Sequence, residues 1–574
     1  MRTITRREFI QLTATSIGAI SASEAWFHPH AIAADTADTV LINGNILTVD
    51  QSDSVVNAVA IRDGKILRAG SNDEVSRYIG NATQMIDLEG KTVTPGLVDS
   101  HIHVMYYGQQ FHPQLLNVRY PLTPNKEALL KLVADRAKII RPGEWIVGNH
   151  GFMLILEMTP NRWELDQVAP NNPVFLKVNS GQHAVANSLA LKMAGVNRGT
   201  PNPPGAKIGR DPVTKEPNGL LFHYPAQQLV ARVAPVYSGR GVEGLVEDVY
   251  RGQVRCLAAG YTSGHDVIIF GNSIGGYYEA ASRNGLKMRI RLMEYVESEE
   301  NAIQVLRKRR PSNHPLLTVG GYKLAVDGGL GSKTMLMHNG SLEGAKLAYL
   351  YHEPAALSRM TRLFHREGHQ VAFHATGDRA IDLAIDAIEN ALQAQPRAEH
   401  RHRIEHCLFP TERALERIKS LGIVVSVSPQ WNSFHADVWR KLTDEPTMQR
   451  MVPLKTMKEM GIKVAFGCDV PATIMVEPRW AFMGAVHRTT RSGYAPGPAE
   501  RITTADALRM HTMGSAYAGF EEKEKGSLET GKLADLVVWS HDLYKCSVQE
   551  LRELNPMQIM VGGQFISTAS VLRQ

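Results

Sequence analysis

The sequence predicts an α/β protein: a (β/α)8 TIM barrel, with a discontinuous small β-sandwich domain built from both chain ends and an inserted α+β domain after strand 1. Three observations predict it. Eight short apolar runs end in polar residues, at 96–101, 261–265, 288–294, 321–325, 371–374, 403–406, 424–428 and 463–469. The later runs alternate with helical patterns at 380–392, 411–421 and 454–460. Strand–helix alternation argues for a parallel sheet, and eight units argue for closure into a barrel. Strand-and-turn stretches also occupy both chain ends. A doubly wound sheet is the structural alternative.

Taken in order, residues 1–33 read as a twin-arginine signal peptide. Thr5-Arg6-Arg7-Glu8-Phe9-Ile10-Gln11 is similar to the export motif, a weakly apolar stretch follows at 12–20, and Ala31-Ile32-Ala33 is a small-residue cleavage site. A basic amphipathic N-terminal helix is the bland alternative. The leader implies a periplasmic or secreted protein whose partners include the twin-arginine export machinery. That route carries folded proteins, which suits an enzyme loaded with metal before export. No other segment approaches 18 continuous apolar residues, so no membrane span is expected.

Residues 38–94 form the N-terminal part of the small β domain. There Asp63-Gly64 separates apolar runs at 55–61 and 65–69, a strong hairpin signal because both turn residues tolerate positive φ. Residues 95–110 hold barrel strand 1. About 150 residues then separate the first and second barrel runs, far more than an ordinary βα connection. Residues 111–249 are therefore read as the inserted domain leaning over the barrel mouth, with strands at 145–147 and 174–178, helices at 125–138 and 244–259, and a Pro/Gly-rich loop at 199–219. Residues 250–524 complete the barrel. Residues 525–574, with strand stretches at 526–528, 534–539 and 559–563, return to the small β domain.

Composition excludes several classes. With 43% hydrophobic and 21% charged residues the chain is globular rather than disordered. Of the basic residues behind its +6 net charge, three lie in the leader, and Arg307-Lys308-Arg309-Arg310 is too short to be more than a solvated helix end. Nucleic acid is not an expected partner. Four cysteines in 574 residues do not make a disulfide framework and read as packing residues, two of them (Cys407 and Cys468) next to candidate ligands.

The candidate chemistry begins at His101-Ile102-His103. On a strand, positions i and i+2 share a face, so two neutral imidazoles can hold one divalent metal. The spacing alone is weak among 22 histidines, and His28-Pro29-His30 and His400-Arg401-His402 share it. The first of these lies in the leader, and the second precedes a strand end and reads as surface. His101 and His103 differ in closing the first barrel strand, the end at which barrel enzymes place their catalytic groups.

Val93-Thr94-Pro95-Gly96-Leu97-Val98-Asp99-Ser100-His101-Ile102-His103 resembles the first-strand signature of the amidohydrolase superfamily. Further pieces follow in order: Gly321-Tyr322-Lys323-Leu324-Ala325-Val326-Asp327-Gly328-Gly329, His374-Ala375-Thr376-Gly377-Asp378-Arg379-Ala380, Arg403-Ile404-Glu405-His406, Gly467-Cys468-Asp469-Val470-Pro471 and Gly526-Ser527-Leu528 with Gly531-Lys532-Leu533-Ala534-Asp535-Leu536. The ordered set resembles amidohydrolase family 3, the branch that contains N-substituted formamide deformylase, over about residues 38–565.

The resemblance implies two divalent metal ions, by expectation zinc. His101 and His103 would hold the first, completed by Asp469. His374 and His406 would hold the second, and Lys323 would bridge them as a CO2-derived carbamate. It implies hydrolysis of a carbon–nitrogen bond, of the non-peptide amide type, in a small-molecule substrate. Metal-activated hydroxide would attack, with Asp469 as general base and then acid. A homodimer is left open.

Specificity would come from loops. His183 in the insert and His265 at the end of the second run are the substrate-binding candidates, and for each a structural role stands beside the functional one. The chain departs from the family's pattern at Gly219-Leu220-Leu221-Phe222-His223, where an acidic residue is expected, and at Gly329, Lys333 and Cys468. Those departures leave the metal set intact and the substrate pocket its own. Two readings compete: a superfamily deaminase of a cyclic amidine, against which stand Lys323 and the Ala375-Thr376-Gly377-Asp378 that follows His374, and a non-enzymatic periplasmic binding protein on a barrel scaffold, which predicts lost ligands.

Overall fold

The computed structural model describes residues 2–3, 36–119, 122–152, 159–178, 181, 183–203, 206–237, 240–268, 273–338, 348–473 and 475–567. The twin-arginine motif, the apolar stretch after it and the cleavage site lie outside the described residues, as do His28, His30, Asn179, Ser180 and Gln182.

The centre of the molecule is an eight-stranded, all-parallel sheet: β1 (Leu97–Ile102), β2 (Tyr261–Ile268), β3 (Arg289–Tyr295), β4 (Leu317–Ala325), β5 (Gln370–Ala375), β6 (Arg403–His406), β7 (Val424–Val427) and β8 (Val464–Phe466), hydrogen-bonded in that order. Each predicted run supplies one strand. The sheet is nearly closed. Where β8 returns to β1, the Asp469 N–H donates to the His101 carbonyl (2.8 Å) and the His103 N–H to the Val470 carbonyl (3.2 Å). The buried Asp99 carboxylate accepts the N–H groups of Cys468 (3.0 Å) and His101 (2.9 Å) across the same seam. Glycine is required there, because a Cβ on Gly467 would stand 2.6 Å from the His101 nitrogen.

Capped amphipathic helices cover the barrel. The helix Glu412–Leu421 starts at Thr411, whose hydroxyl caps Ala414, and stops at Gly422 in the left-handed conformation. It buries Ala414, Leu415 and Ile418, the i, i+1, i+4 stripe that period 3.6 demands. Helix Val104–Gln109 packs on Gly241–Ala258 at backbone distance, with Gly108 against the Asp248 carbonyl and Gly252 against that of Val104. Among the described residues no helix is long and apolar enough to cross a membrane. All four cysteines are free thiols, three of them buried.

Two further sheets carry the chain ends, the first built from N-terminal strands alone and the second from strands of both ends. One runs 84–87, 39–42, 58–62, 65–70, with Arg2–Thr3 added at its edge. The other runs 564–565, 556–561, 536–539, 92–95, 45–47, 55–56. Leu41, Ile61 and Ile66 of the first share one apolar cluster with Ile46, Val93, Leu536 and Met560 of the second. The hairpin turn at Asp63-Gly64 has positive φ at both residues.

Between β1 and β2 lies a five-stranded sheet in the order 146–152, 174–178, 183–186, 217–222, 207–210. This corrects the reading of 199–219 as loop. Lys207–Arg210 and Pro217–Phe222 pair antiparallel across a polar turn, and glycine and proline had hidden two short strands.

Buried neutral histidines make the fold acid-sensitive. His511 is enclosed by Tyr261, Phe466 and Phe482, neither ring nitrogen has a partner among the described residues, and burial pulls it down to about 3. Burial likewise lowers His365 and His402. Their folded values lie below the unfolded value of about 6.5, so unfolding takes up protons at acid pH. Stability is therefore expected to be full above about pH 6.5 and to fall as pH drops below it. Thermal midpoints between pH 8 and pH 4 check this; a flat profile would refute it.

Candidate metal centre

The six ligand candidates come from five strand ends and meet at one rim of the barrel. His101 is the fifth residue of β1, and His103 begins the helix that follows. Lys323 lies in β4, His374 in β5, His406 at the end of β6 and Asp469 just after β8. Strand alternation turns Arg403 and Glu405 of β6 inward, which would leave His406 facing out. Its φ of 74° breaks the alternation. Asp469, at φ 53°, is turned in the same way. Left-handed conformations at non-glycine residues cost about 1–3 kcal/mol each and persist where surrounding structure enforces them.

Hydrogen bonds fix which ring atom is left bare on His101, His103 and His374. His101 Nδ1 donates to Glu405 (2.5 Å) and His103 Nδ1 to the Val267 carbonyl (2.7 Å). The two Nε2 lone pairs then face Asp469 Oδ1, at 3.5 Å and 3.1 Å. Ligand atoms of these three buried residues all lie within 4.8 Å of one another. Acceptors pointed at acceptors repel unless a metal cation, or the proton of a His103–Asp469 hydrogen bond, lies between them, and outer hydrogen bonds of this kind orient metal-binding imidazoles. On the other side, His374 Nε2 donates to the Gly328 carbonyl (3.3 Å), leaving Nδ1 bare, 3.0 Å from His406 Nε2. The His101 and His406 rings, 4.8 Å apart between centroids, join the two groups.

Lys323 is buried, and its Nζ has no hydrogen-bond partner among the described residues. Burial pulls it down to about 8, against the pull of Glu405. Burial and the Lys323 charge pull His101 down to about 4; burial pulls on His103 too, but the hydrogen bond to Asp469, the charges of Asp469 and Asp266 and the Val267 carbonyl together raise it. Asp469 stays below the usual carboxylate range: burial would raise it, but His101, His103 and Lys323 prevail. The donor set fits divalent metal: four imidazoles and a carboxylate, with an orphaned lysine nitrogen among them.

The other candidates sit elsewhere. His265 is fully buried, bonded to Arg403 (3.0 Å) and Glu521 (3.2 Å), and Glu521 in turn pairs with Lys525 (3.1 Å). The structure thus places it in a charge network inside the barrel, not on a substrate pocket, because the inward face of β2 meets the arginine of β6. His183 is buried between Thr159 (3.1 Å) and Ser332 (3.4 Å), joining the insert to the loop after β4. His400 and His402 are buried, not on the surface. His402 Nδ1 accepts from Val371 N–H, so its Nε2 donates to His365 (2.8 Å), and His400 Nδ1 accepts from His402 N–H, so its Nε2 donates to the Leu421 carbonyl (2.8 Å). Every nitrogen of that pair is satisfied.

Three features escaped the sequence reading. Glu405 holds His101 and also binds the Arg403 guanidinium. Inward alternation with Arg403 was its available signal. Trp431, which opens the short helix Trp431–Phe434 after β7, stacks on His406 (5.1 Å, 23°), and His435 stacks on Trp439 (4.8 Å, 15°). A cavity of about 40 Å³ beside His103 is lined by Met105, Tyr106, Gln109 and Tyr277 among others.

This barrel and ligand cluster define the class, a metal-dependent hydrolase. The chain belongs to the amidohydrolase family, whose profile it matches over residues 84–567. It is 32% identical to protein LONG AFTER FAR-RED 3 of Arabidopsis thaliana, over 88% of this chain and 87% of that protein. It is 29% identical to N-substituted formamide deformylase of Arthrobacter pascens, over 92% and 97%. In fold it is similar to a metal-dependent hydrolase from Pyrococcus horikoshii OT3, with a TM-score of 0.70 and 24% identity over 89% of this chain and 99% of that one.

Proposed function

We propose that the protein hydrolyses a carbon–nitrogen bond of the non-peptide amide type in a small molecule. The observation that carries this is the convergence of bare imidazole nitrogens on Asp469 with Lys323 beside them. The similarity to N-substituted formamide deformylase supports it. His101, His103 and Asp469 would hold one divalent ion, and His374 and His406 a second. The ions, by expectation zinc, would lower the pKa of water and polarise the scissile carbonyl.

The chain's own groups do the rest. Lys323, with its value near 8, has a neutral fraction able to take up CO2 as a carbamate, which turns an orphaned donor into an anionic ligand. Glu405 and the Val267 carbonyl hold His101 and His103 in the ligating tautomer. Asp469, kept ionised, accepts the proton of the attacking water and delivers it to the leaving nitrogen. The Trp431 face and the cavity beside His103 shape the mouth.

The proposal extends to organisation and export. Residues 1–33 are a twin-arginine leader that sends the protein to the periplasm or outside the cell. Residues 38–94 and 525–574 form one small β domain, 111–249 the insert, and 95–110 with 250–524 the barrel.

Elemental analysis of the purified chain together with assays on N-formyl and N-acyl amides, lactams and carbamates tests the function. Two divalent ions per chain are expected, with hydrolysis abolished by a chelator and restored by zinc. A metal-free chain indifferent to chelator would overturn it.

A further inference from the structure

Lys177 lies in the inserted strand Val174–Val178 and is 2% exposed. Its neighbours are aromatic. The Nζ stands 3.8 Å from the ring centroid of Tyr237, 5.7 Å from that of Tyr106 and 5.8 Å from that of Phe175. Phe175 shares its face of the strand by alternation. Among the described residues it is aromatic rings that face this ammonium, and the Tyr237 hydroxyl is buried without a hydrogen-bond partner. Burial alone pulls Lys177 down to about 7. Aromatic faces attract a cation, but they replace only part of its hydration and none of its counter-charge.

Tyr106 ties this enclosure to the metal centre. It sits in the first turn of the helix that begins at His103, and its ring lies 6.5 Å from the His103 ring. It also lines the cavity beside His103. One aromatic side chain therefore borders the ligand cluster on one hand and the enclosed ammonium on the other.

We infer that Lys177 anchors a carboxylate of the substrate, so that the enzyme acts on an anionic N-acyl or N-formyl compound whose amide lies at the ligand cluster and whose acid group lies past Tyr106. The inference rests on the proposed C–N hydrolysis for its substrate and on the Lys177 geometry for its site. A bound carboxylate supplies counter-charge and hydrogen-bond acceptors to an ammonium enclosed by aromatic rings, which is where ion pairing discriminates most between an acid and its neutral isostere.

The test is Lys177→Met, which keeps length and apolar packing, beside Lys177→Arg. Calorimetric titration of the full chain with phenylacetate and with phenylacetamide needs no turnover. Wild type is expected to bind the acid, the methionine variant at least tenfold more weakly, and the arginine variant to retain part of the affinity, with melting temperatures no lower than wild type. In hydrolysis, N-formylphenylalanine is expected to lose at least tenfold in kcat/KM in the methionine variant, through KM, while its amide is unchanged. Phenylacetate binding equal in wild type and Lys177→Met would show the acid held elsewhere, for instance on the metals, and would overturn the inference. Failure of every assay compound to react, with the calorimetric contrast intact, would overturn the hydrolytic reading instead.

Discussion

Lys323→Ala is expected to lower kcat/KM by about a thousandfold, or about 4 kcal/mol of barrier, and to reduce metal content below that of wild type. The side chain has no hydrogen bond to lose among the described residues, so the fold should not suffer. Removing a desolvated ammonium leaves the metal-free melting temperature unchanged or higher. What disappears is the anionic ligand its carbamate would supply between His101 and His374, both of which feel the Lys323 charge. Added formate or acetate should restore part of the activity by occupying the space vacated. Kinetics and elemental analysis with and without those acids provide the check, and a variant with full metal and full rate would refute the bridging role.

Glu405→Gln should produce the largest loss of stability. Its two oxygens accept from Arg403 Nε and His101 Nδ1, and all three side chains are buried. Burial raises the Glu405 value, but Arg403, Lys323 and His101 together hold it well below the ordinary range, so it is ionised throughout. Glutamine offers one acceptor where two are needed and turns an amide N–H toward a donor. It also strips a buried guanidinium of its counter-charge, at a cost of about 3–5 kcal/mol. His101 loses its orienting partner as well, so metal affinity should fall about 10–100-fold. Thermal melting and competitive chelation measure the two effects. A variant melting within a degree of wild type would show that Arg403 finds another acceptor.

The barrel was legible because its strands are buried on both faces and end in polar groups, a pattern that survives without any three-dimensional knowledge. The hairpin at Asp63-Gly64 and the helix cap at Thr411 were legible for local reasons of turn and capping chemistry. The strands at 207–210 and 217–222 were not, because pairing with a neighbour, not propensity, makes them strands. At the site, strand alternation offered His101 and His103 among three such pairs, and the resemblance singled them out along with the remaining ligands. Glu405 was quoted in a motif without a role, since its partner is 304 positions away in sequence. His265 carried a pocket reading and a structural one, and its bonds to Arg403 and Glu521 are of the structural kind, since a polar strand residue can face the barrel's interior charges as readily as its mouth. Whether His400 was surface or core depended on the Leu421 carbonyl, which no spacing rule anticipates.

One architectural detail bears on how the protein is made. The strand 92–95 leads directly into the segment bearing His101 and His103, and it pairs with 536–539, where the Trp539 indole N–H donates to the Thr94 hydroxyl (2.8 Å). A ribosome must therefore have translated nearly the whole message before that early segment gains its neighbour. A nascent chain cut short before residue 536 leaves the strand that leads to His101 and His103 without this neighbour, so prematurely terminated products would emerge with an unpaired edge beside the centre. Quality control over metal loading would then be written into the order of synthesis.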